Sequence, residues 1–281
     1  LAPCRTLERS GFELNVVGVD AEGTFDLDQV RTAVLEGTAL VTMTLASNEI
    51  GTIEPIAEVS AICRERGVLL HVDASNVAGI IPVDVAELGA SLMTISGHMF
   101  GAPKGVGALY LKRGLRWPSL LEGGAQESGR RAGTENVASI VGLGIAAELA
   151  GSRMSERLAK VMPLRDRIMT GVEGISGVRS TGHPTKRLPH HASCVVNHVE
   201  AESLLLELVM DAGIYAASGT ACSGRQQAES YVLEAIGLGN DMRSGSLVMS
   251  VGEATSDPEI DYLLAKLPVA IERLRSLSPL T

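Results

Sequence analysis

The chain has 281 residues, 45% of them hydrophobic and 20% charged, which is typical of a globular protein with one large or two modest domains. A formal net charge of −9 argues against direct nucleic-acid binding, because phosphate recognition needs clustered lysine and arginine. No apolar stretch has the length of a membrane span and no signal sequence opens the chain, so we expect a soluble, cytoplasmic protein without a membrane partner.

The first half of the chain alternates predicted helices and strands. A helical stretch opens the chain at residues 1–10, and further helices are predicted at 26–36 and 56–67. Strands are predicted at 12–19, 39–45, 68–74, 91–96 and 106–111. Strands that alternate with helices at this spacing indicate an α/β fold with a mostly parallel sheet flanked by helices.

Residues 68–105 concentrate polar chemistry at two predicted strand ends. An apolar run ends at Asp73, and the strand at 91–96 ends at Ser96 and continues into the turn GHMFGAPKG, which carries His98. Ligands of open α/β sheets lie beyond the carboxyl ends of the strands, so Asp73 would face the same crevice as Ser96 and His98. An acid at a strand end can equally be a structural carboxylate, so Asp73 taken alone leaves both interpretations open.

Residues 121–136, with the sequence LEGGAQESGRRAGTEN, form a glycine-rich loop that carries Arg130, Arg131 and Thr134. Backbone freedom combined with guanidinium groups and a hydroxyl suits the binding of a phosphate or a carboxylate. Glycine-rich loops are also ordinary turns, so this loop alone does not identify a site.

The second half begins with one long predicted helical region, residues 137–171, of the kind that bridges two domains. We therefore predict a large domain at 1–150 and a smaller C-terminal α+β domain at 151–281. Strands of the smaller domain are predicted at 177–180, 193–197, 214–216 and 246–251. Its helices are predicted at 201–212, 230–236 and 258–277.

The four cysteines lie far apart without a CxxC pair, which predicts neither a zinc site nor a disulfide framework. Cys4, Cys63 and Cys194 fall in helical or strand patterns and are expected in the core. Cys222 lies in the segment ASGTACSGRQQ, whose small and flexible residues are unlike the usual surroundings of a structural cysteine. Its thiol is therefore a candidate nucleophile.

Four segments, HVDAS, SGHMFGAPKGVGALY, GGAQESGRRAGTENV and SGTACSG, resemble in that order the markers of cysteine desulfurases. These are pyridoxal-phosphate-dependent enzymes of the class V aminotransferase group, with the fold type I of such transferases. The resemblance covers essentially the whole chain. It implies that a large domain binds pyridoxal 5'-phosphate (PLP), and that sulfur is removed from L-cysteine to give L-alanine and a persulfide on Cys222 in the small domain.

The resemblance also implies roles for residues around the PLP ring. Asp73 would pair with the pyridinium nitrogen and so keep the cofactor an electron sink. Asn48 and Asn76 would contact the ring oxygen, and Asn48 would also contact the substrate. Asn76 stands where the family usually has glutamine, a longer amide of similar chemistry.

Further roles concern the phosphate and the partners. Ser96 and His98 would bind the phosphate, and Thr134 would reach the phosphate of a neighbouring subunit's cofactor. A homodimer with shared sites is therefore expected, together with a sulfur-acceptor protein that receives sulfur from Cys222.

Two departures from the family pattern bear on activity. Met99 stands where the family has the lysine that binds PLP covalently, so covalent attachment is not expected, and Lys104 matches a different family lysine. Val248 stands where the family has an arginine that holds the substrate carboxylate, and no aliphatic side chain replaces a guanidinium. The family also carries roughly a further third of the chain before residue 1, so we expect the N-terminal part of the large domain to be missing.

Three interpretations remain open. The chain can be a cysteine desulfurase that is inactive or severely impaired, which the retained Asp73, His98, Thr134 and Cys222 favour. It can be a catalytically silent scaffold or partner in a sulfur-transfer assembly, which Val248 favours. It can also be a relative of selenocysteine lyase or cystine lyase. The sequence does not separate iron–sulfur cluster assembly from other destinations of the sulfur.

Overall fold

The computed structural model describes residues 1–219 and 230–277. Within them, the larger sheet has four strands in the order β1-β2-β3-β4. These strands are β1 (Leu40–Thr44), β2 (Leu69–Asp73), β3 (Leu92–Ser96) and β4 (Gly107–Leu111). The first three are parallel and β4 is antiparallel to β3. The predicted α/β fold with a mostly parallel sheet is confirmed.

The register of the larger sheet sets which side chains share a face. Thr44 pairs with Asp73, and Asp73 pairs with Thr94, so the carboxyl ends of three strands meet at one edge. Side chains alternate between faces along a strand, which separates a polar face from an apolar one. The polar face carries Thr42, Thr44, His71, Asp73, Thr94 and Ser96, whereas the other face contributes Met43, Leu70, Val72 and Met93 to the core.

Three helices precede β2: α1 (Ala2–Arg9), α2 (Leu27–Ala33) and α3 (Ile56–Glu65). Asp26 caps α2, because its side chain accepts the backbone N–H groups of Asp28 and Gln29. Helices α2 and α3 pack into the core of the larger sheet through buried apolar residues, which include Val30, Val59 and Ile62.

The predicted long helical region is two helices, α5 (Val137–Ser152) and α6 (Met154–Glu173), after the short α4 (Gln126–Gly129). Both helices meet at Arg153 and are bent by 70° with respect to each other. No single helix in the described part of the chain is long and apolar enough to cross a membrane, although α5 and α6 pass that test together by length and composition.

The smaller sheet is antiparallel, with the strands β5 (Val178–Ser180), β6 (His191–Val196) and β7 (Ser246–Ser250) in that order. Its core is filled by apolar residues of α6, α7 (Ala201–Ala212) and α10 (Asp257–Leu277). The short helices α8 (Tyr231–Ala235) and α9 (Asn240–Arg243) complete this part, which confirms the predicted smaller α+β unit.

Two predicted strands are wrong. Residues 12–19 form no strand and make only an isolated bridge from Val19 to Phe25, because Phe12 and Val16 are 56% and 62% exposed and no strand of the described residues pairs with them. Residues 214–216 form no strand either, and the chain joins β7 only through a bridge between Ala217 and Val248.

Cysteine burial follows the prediction in part. Cys63 and Cys194 are buried, whereas Cys4 is only half-buried because α1 contributes no buried residue. Burial raises the pKa of the Cys194 thiol to about 12, so this group stays protonated and inert.

Candidate functional site

The polar face of the larger sheet brings together side chains from three neighbouring strands. The strand sequences LVTMT, LLHVD and LMTIS each place polar residues two positions apart near the carboxyl end. Parallel pairing aligns the polar residues of β1 with those of β2, and it places Thr94 of β3 beside Asp73. The result is a polar strip that ends at the edge where ligands of open α/β sheets bind.

Asp73 is the acid at the centre of this strip. Its Oδ1 accepts the backbone N–H of Ser75 at 2.9 Å and the hydroxyl of Thr94 at 3.2 Å. Both bonds end on Oδ1, so Oδ2 is the oxygen that remains able to accept a hydrogen bond from a ligand. Asp73 itself is half-buried, which keeps the carboxylate within reach of a ligand.

His71 lies on the same face of β2, two residues before Asp73. Its Nδ1 is 2.8 Å from the Thr42 hydroxyl and its Nε2 is 3.3 Å from the Thr94 hydroxyl. Burial lowers the pKa of His71, and the negative charge of Asp73 offsets only part of that effect. Sequence reasoning did not place Thr42, His71 and Thr94 at the site, although the alternation of polar residues in the three strands is a readable signal.

The end of β3 and the turn that follows it hold three of the predicted site residues. Ser96 ends β3, and a 3-10 turn, Gly97–Phe100, follows it. The Ser96 hydroxyl and His98 Nδ1 are 2.8 Å apart, so the two predicted phosphate ligands form one polar pair. Met99 is half-buried in the same turn and has a thioether in place of an amine.

Asn48 lies in a turn that follows β1, and its backbone carbonyl oxygen is 3.0 Å from His191 Nε2. Its side chain is exposed, and Asn76 is half-buried in the turn after β2. The next residue, Glu49, accepts a hydrogen bond of 2.5 Å from the Ser230 hydroxyl, and burial raises the pKa of Glu49. The turn that carries Asn48 is thus tied to the C-terminal half of the chain.

The remaining predicted residues are more distant in the chain. Thr134 is exposed, and it follows α4, in which Glu127 and Ser128 have positive, non-helical φ values of 50° and 58°. Val248 is half-buried in β7, where it pairs with Ser193 and makes the bridge to Ala217. Cys222 lies outside the described residues.

Comparison with known proteins identifies the family of the chain. The aminotransferase class-V family model matches residues 1–263. The cysteine desulfurase IscS of Methanosarcina thermophila is 42% identical over 281 residues, which are 100% of this chain and 69% of that protein. Cysteine desulfurase IscS 1 of Archaeoglobus fulgidus is 44% identical over 278 residues, which are 99% of this chain and 72% of that protein.

Solved structures of the same group share the fold. A NifS-like protein superposes with a TM-score of 0.87 at 32% identity, covering 96% of this chain and 71% of the other. SspA in complex with cysteine superposes with a TM-score of 0.73 at 26% identity, covering 91% of this chain and 71% of the other. The chain therefore belongs to the aminotransferase class-V family and, within it, to the cysteine desulfurases.

Proposed function

We propose that this protein binds PLP and L-cysteine at the carboxyl edge of β1, β2 and β3, as a desulfurase-type protein with impaired turnover. The observation that carries the proposal is the Asp73 carboxylate, whose Oδ1 is held by Ser75 and Thr94 while Oδ2 remains able to accept. A carboxylate held in this way suits the protonated nitrogen of a pyridine ring.

The donor set of the site fits PLP without a covalent bond. Ser96 and His98 supply a hydroxyl and an imidazole for the phosphate, and Asn48 and Asn76 supply amides for the ring oxygen. When bound, PLP supplies an electron sink for negative charge that develops on the substrate. The thioether of Met99 cannot form the covalent link that an amine forms at that position.

The sulfur-transfer step would fall to Cys222. Its thiolate would attack the sulfur of L-cysteine, and the bond between Cβ and sulfur would break. The electron pair of that bond stays on Cβ, which takes up a proton, so that alanine and a persulfide are the products. The structural relative SspA is in complex with cysteine, which supports cysteine as the ligand here. Thr134 would complete the site of a second subunit, and a sulfur-acceptor protein would discharge Cys222.

Two residues explain why turnover would be impaired. Met99 removes both the covalent link to PLP and the lysine that would move a proton between two substrate carbons. Val248 removes the bidentate partner of the substrate carboxylate. Lys104 is exposed, on the segment after the 3-10 turn, and its place in the sequence does not make it a substitute for the missing lysine.

The proposal is tested by titrating the purified chain with PLP, reducing it with borohydride, and measuring alanine and sulfide formed from L-cysteine. We expect a cofactor that binds and is removed by dialysis, no reduced adduct, and alanine at the level of a protein-free control. An adduct that maps to Lys104, or alanine formed at a catalytic rate, would contradict the impaired-enzyme proposal.

A scaffold in a sulfur-transfer assembly is the second candidate, and Val248 is the observation that favours it. Loss of the lysine alone could be reversed by one substitution. Loss of the arginine as well removes a second catalytic requirement, binding of the substrate carboxylate, and this favours a function other than catalysis. Restoring both residues separates the two candidates, because a scaffold would stay silent with its partners still bound.

A further inference from the structure

Four side chains on the polar face form a continuous row across three neighbouring strands. The row starts at Thr42 on β1, continues through His71 on β2 to Thr94 on β3, and returns to Asp73 on β2. The successive contacts are 2.8 Å from Thr42 to His71, 3.3 Å from His71 to Thr94, and 3.2 Å from Thr94 to Asp73. Parallel register places all four side chains on one face, so the row is a product of strand pairing.

The direction of each hydrogen bond follows from the carboxylate at the end of the row. The carboxylate of Asp73 only accepts, so Thr94 donates its single hydroxyl proton to Oδ1. The Thr94 oxygen is then the acceptor for His71, whose Nε2 must carry a proton. In neutral His71, Nδ1 is unprotonated and accepts the hydroxyl proton of Thr42.

The surroundings of His71 agree with a neutral ring. Burial lowers the pKa of His71 despite the nearby carboxylate of Asp73. In the neutral ring, Nε2 donates to the Thr94 oxygen and Nδ1 accepts from the Thr42 hydroxyl. In a doubly protonated ring, Nδ1 would instead donate to the oxygen of Thr42. The row is therefore ordered in one direction, from Thr42 to Asp73.

We propose that Thr42, His71 and Thr94 are positioning residues that hold Asp73 Oδ1, so that Oδ2 points toward the ring nitrogen of the cofactor. This inference rests on the proposed function. Together with the N–H of Ser75, the row fixes the Asp73 rotamer before any ligand arrives, and an ordered carboxylate binds its partner with less loss of conformational freedom. His71 touches neither the cofactor nor the substrate in this proposal and acts through Thr94.

The first test needs no cofactor. Nitrogen NMR of the full chain at neutral pH distinguishes the two neutral tautomers of a histidine, and the variant His71→Gln identifies its signal among the six histidines. We expect the tautomer with the proton on Nε2. A proton on Nδ1 alone, or a doubly protonated ring at neutral pH, would overturn the directed row.

The second test measures PLP affinity of the full chain by absorbance titration. Thr94→Val removes both bonds of Thr94, and we expect affinity to fall about tenfold, as for one net hydrogen bond to a charged group. Thr94→Ser keeps the hydroxyl and should remain within about threefold of the wild type. Thr42→Val should weaken binding less than Thr94→Val, because it breaks only the far end of the row, and Thr32→Val on α2 is the matched control away from the site.

Circular dichroism establishes that each variant is folded. Wild-type affinity in folded Thr94→Val would overturn the proposal, as would an equal loss in Thr94→Ser. If Thr94→Val does not fold, Thr42→Val replaces it: weaker PLP affinity would support the proposal, and wild-type affinity would overturn it. If the wild-type chain itself binds no PLP, the proposed function fails at its cofactor, and the tautomer of His71 still decides whether the directed row exists.

Discussion

The imidazole Nε2 of His191 lies 3.0 Å from the backbone carbonyl oxygen of Asn48 and joins the smaller sheet to the turn after β1. His191 is 4% exposed at the start of β6, and a carbonyl only accepts, so the ring donates from Nε2. The carbonyl of Ile50 in the same turn accepts the Ser193 hydroxyl at 3.2 Å and Arg187 at 3.4 Å. The smaller sheet therefore sets the position of the turn that carries Asn48.

Replacing His191 by leucine should lower the free energy of unfolding by about 1–3 kcal/mol, because the Asn48 carbonyl loses its donor in a partly buried place. The matched control is His191→Gln, whose amide nitrogen keeps a donor at similar reach and should be less destabilising. Urea denaturation of the full chains measures both. Equal losses in the two variants would show that packing of the ring, and not its hydrogen bond, stabilises the turn.

Introducing an amine at position 99 should create a covalent link to PLP that the thioether of Met99 cannot form. Met99 is half-buried in the turn that also holds His98, next to the predicted phosphate ligands. A lysine at this position would therefore lie beside the proposed PLP site. After incubation of Met99→Lys with PLP and borohydride, peptide mass spectrometry should find an adduct at residue 99. Met99→Leu is the control and should show none. An adduct only at Lys104 in both variants would contradict the assignment of position 99.

Adding Val248→Arg to Met99→Lys should strengthen binding of the substrate carboxylate. Val248 is half-buried in β7, beside Ser193 and the bridge to Ala217, and a guanidinium there would make a charge-assisted pair with a carboxylate. We expect the double variant to release alanine with a KM for cysteine at least about tenfold lower than Met99→Lys alone. Silence of the double variant, with PLP attached at residue 99, would favour the scaffold.

The strands and their polar ends could be predicted from the sequence because the signal is local. Three short apolar runs carry polar residues near their carboxyl ends, and parallel pairing then brings Asp73 and Ser96 to one edge. The antiparallel direction of β4 could not be predicted, because a period of two residues is the same in both directions. The strand predicted at 12–19 failed because β-propensity needs a neighbouring strand to pair with.

Most structural features that the sequence did not predict are contacts between segments distant in the chain. The bend at Arg153 was invisible because apolar residues continue through α5 and α6 on both sides of it. His191 and Asn48 are 143 residues apart in the chain, and no local pattern links a histidine at a strand start to a turn so far away. The row from Thr42 to Asp73 was partly predictable. Its polar residues are visible in the strand sequences, but the register that brings them together is not.

Arg187 should prove more important for stability than its lack of an ion pair with any described carboxylate suggests. It is 4% exposed and donates to the carbonyl oxygens of Thr181, His191 and Ile50 at 3.2, 3.3 and 3.4 Å. Burial, with Arg165 nearby, lowers the pKa of Arg187 to about 10, so the group stays charged at neutral pH.

Arg187→Met should therefore lower the free energy of unfolding by about 3 kcal/mol or more, because several acceptors lose a shared donor. Arg187→Lys keeps the charge but not the planar fork, and should recover only part of this loss. Urea denaturation measures both variants. A lysine variant as stable as the wild type would show that charge alone, without the fork, is sufficient.

Three buried groups, His190, His191 and Glu54, should together make stability rise up to about pH 6.5 and change little from there to pH 8. Burial lowers the pKa of His190 and of His191 to about 4, so the unfolded chain takes up more protons as pH falls from 6.5, and their contribution is lost between 6.5 and 4. Burial raises the pKa of Glu54 to about 7, so its contribution is complete below 4.5 and is lost as pH rises through 7. Two histidines outweigh one carboxyl below pH 6.5, and above pH 6.5 the remaining contributions of the histidines and of Glu54 nearly cancel.

Replacing Glu54 by glutamine should remove the contribution that opposes the two histidines as the pH rises. The backbone N–H of Phe25, 3.0 Å from Glu54 Oε2, still finds an acceptor in the amide oxygen of glutamine, so the variant loses the buried charge and keeps the bond. Relative to the wild type, Glu54→Gln should gain about 3 kcal/mol on going from pH 4.5 to pH 8, the linkage value of its pKa shift. Urea denaturation at pH 4.5, 6.5 and 8 measures this difference. A constant difference across these three pH values would mean that Glu54 titrates in the folded chain as it does in the unfolded one.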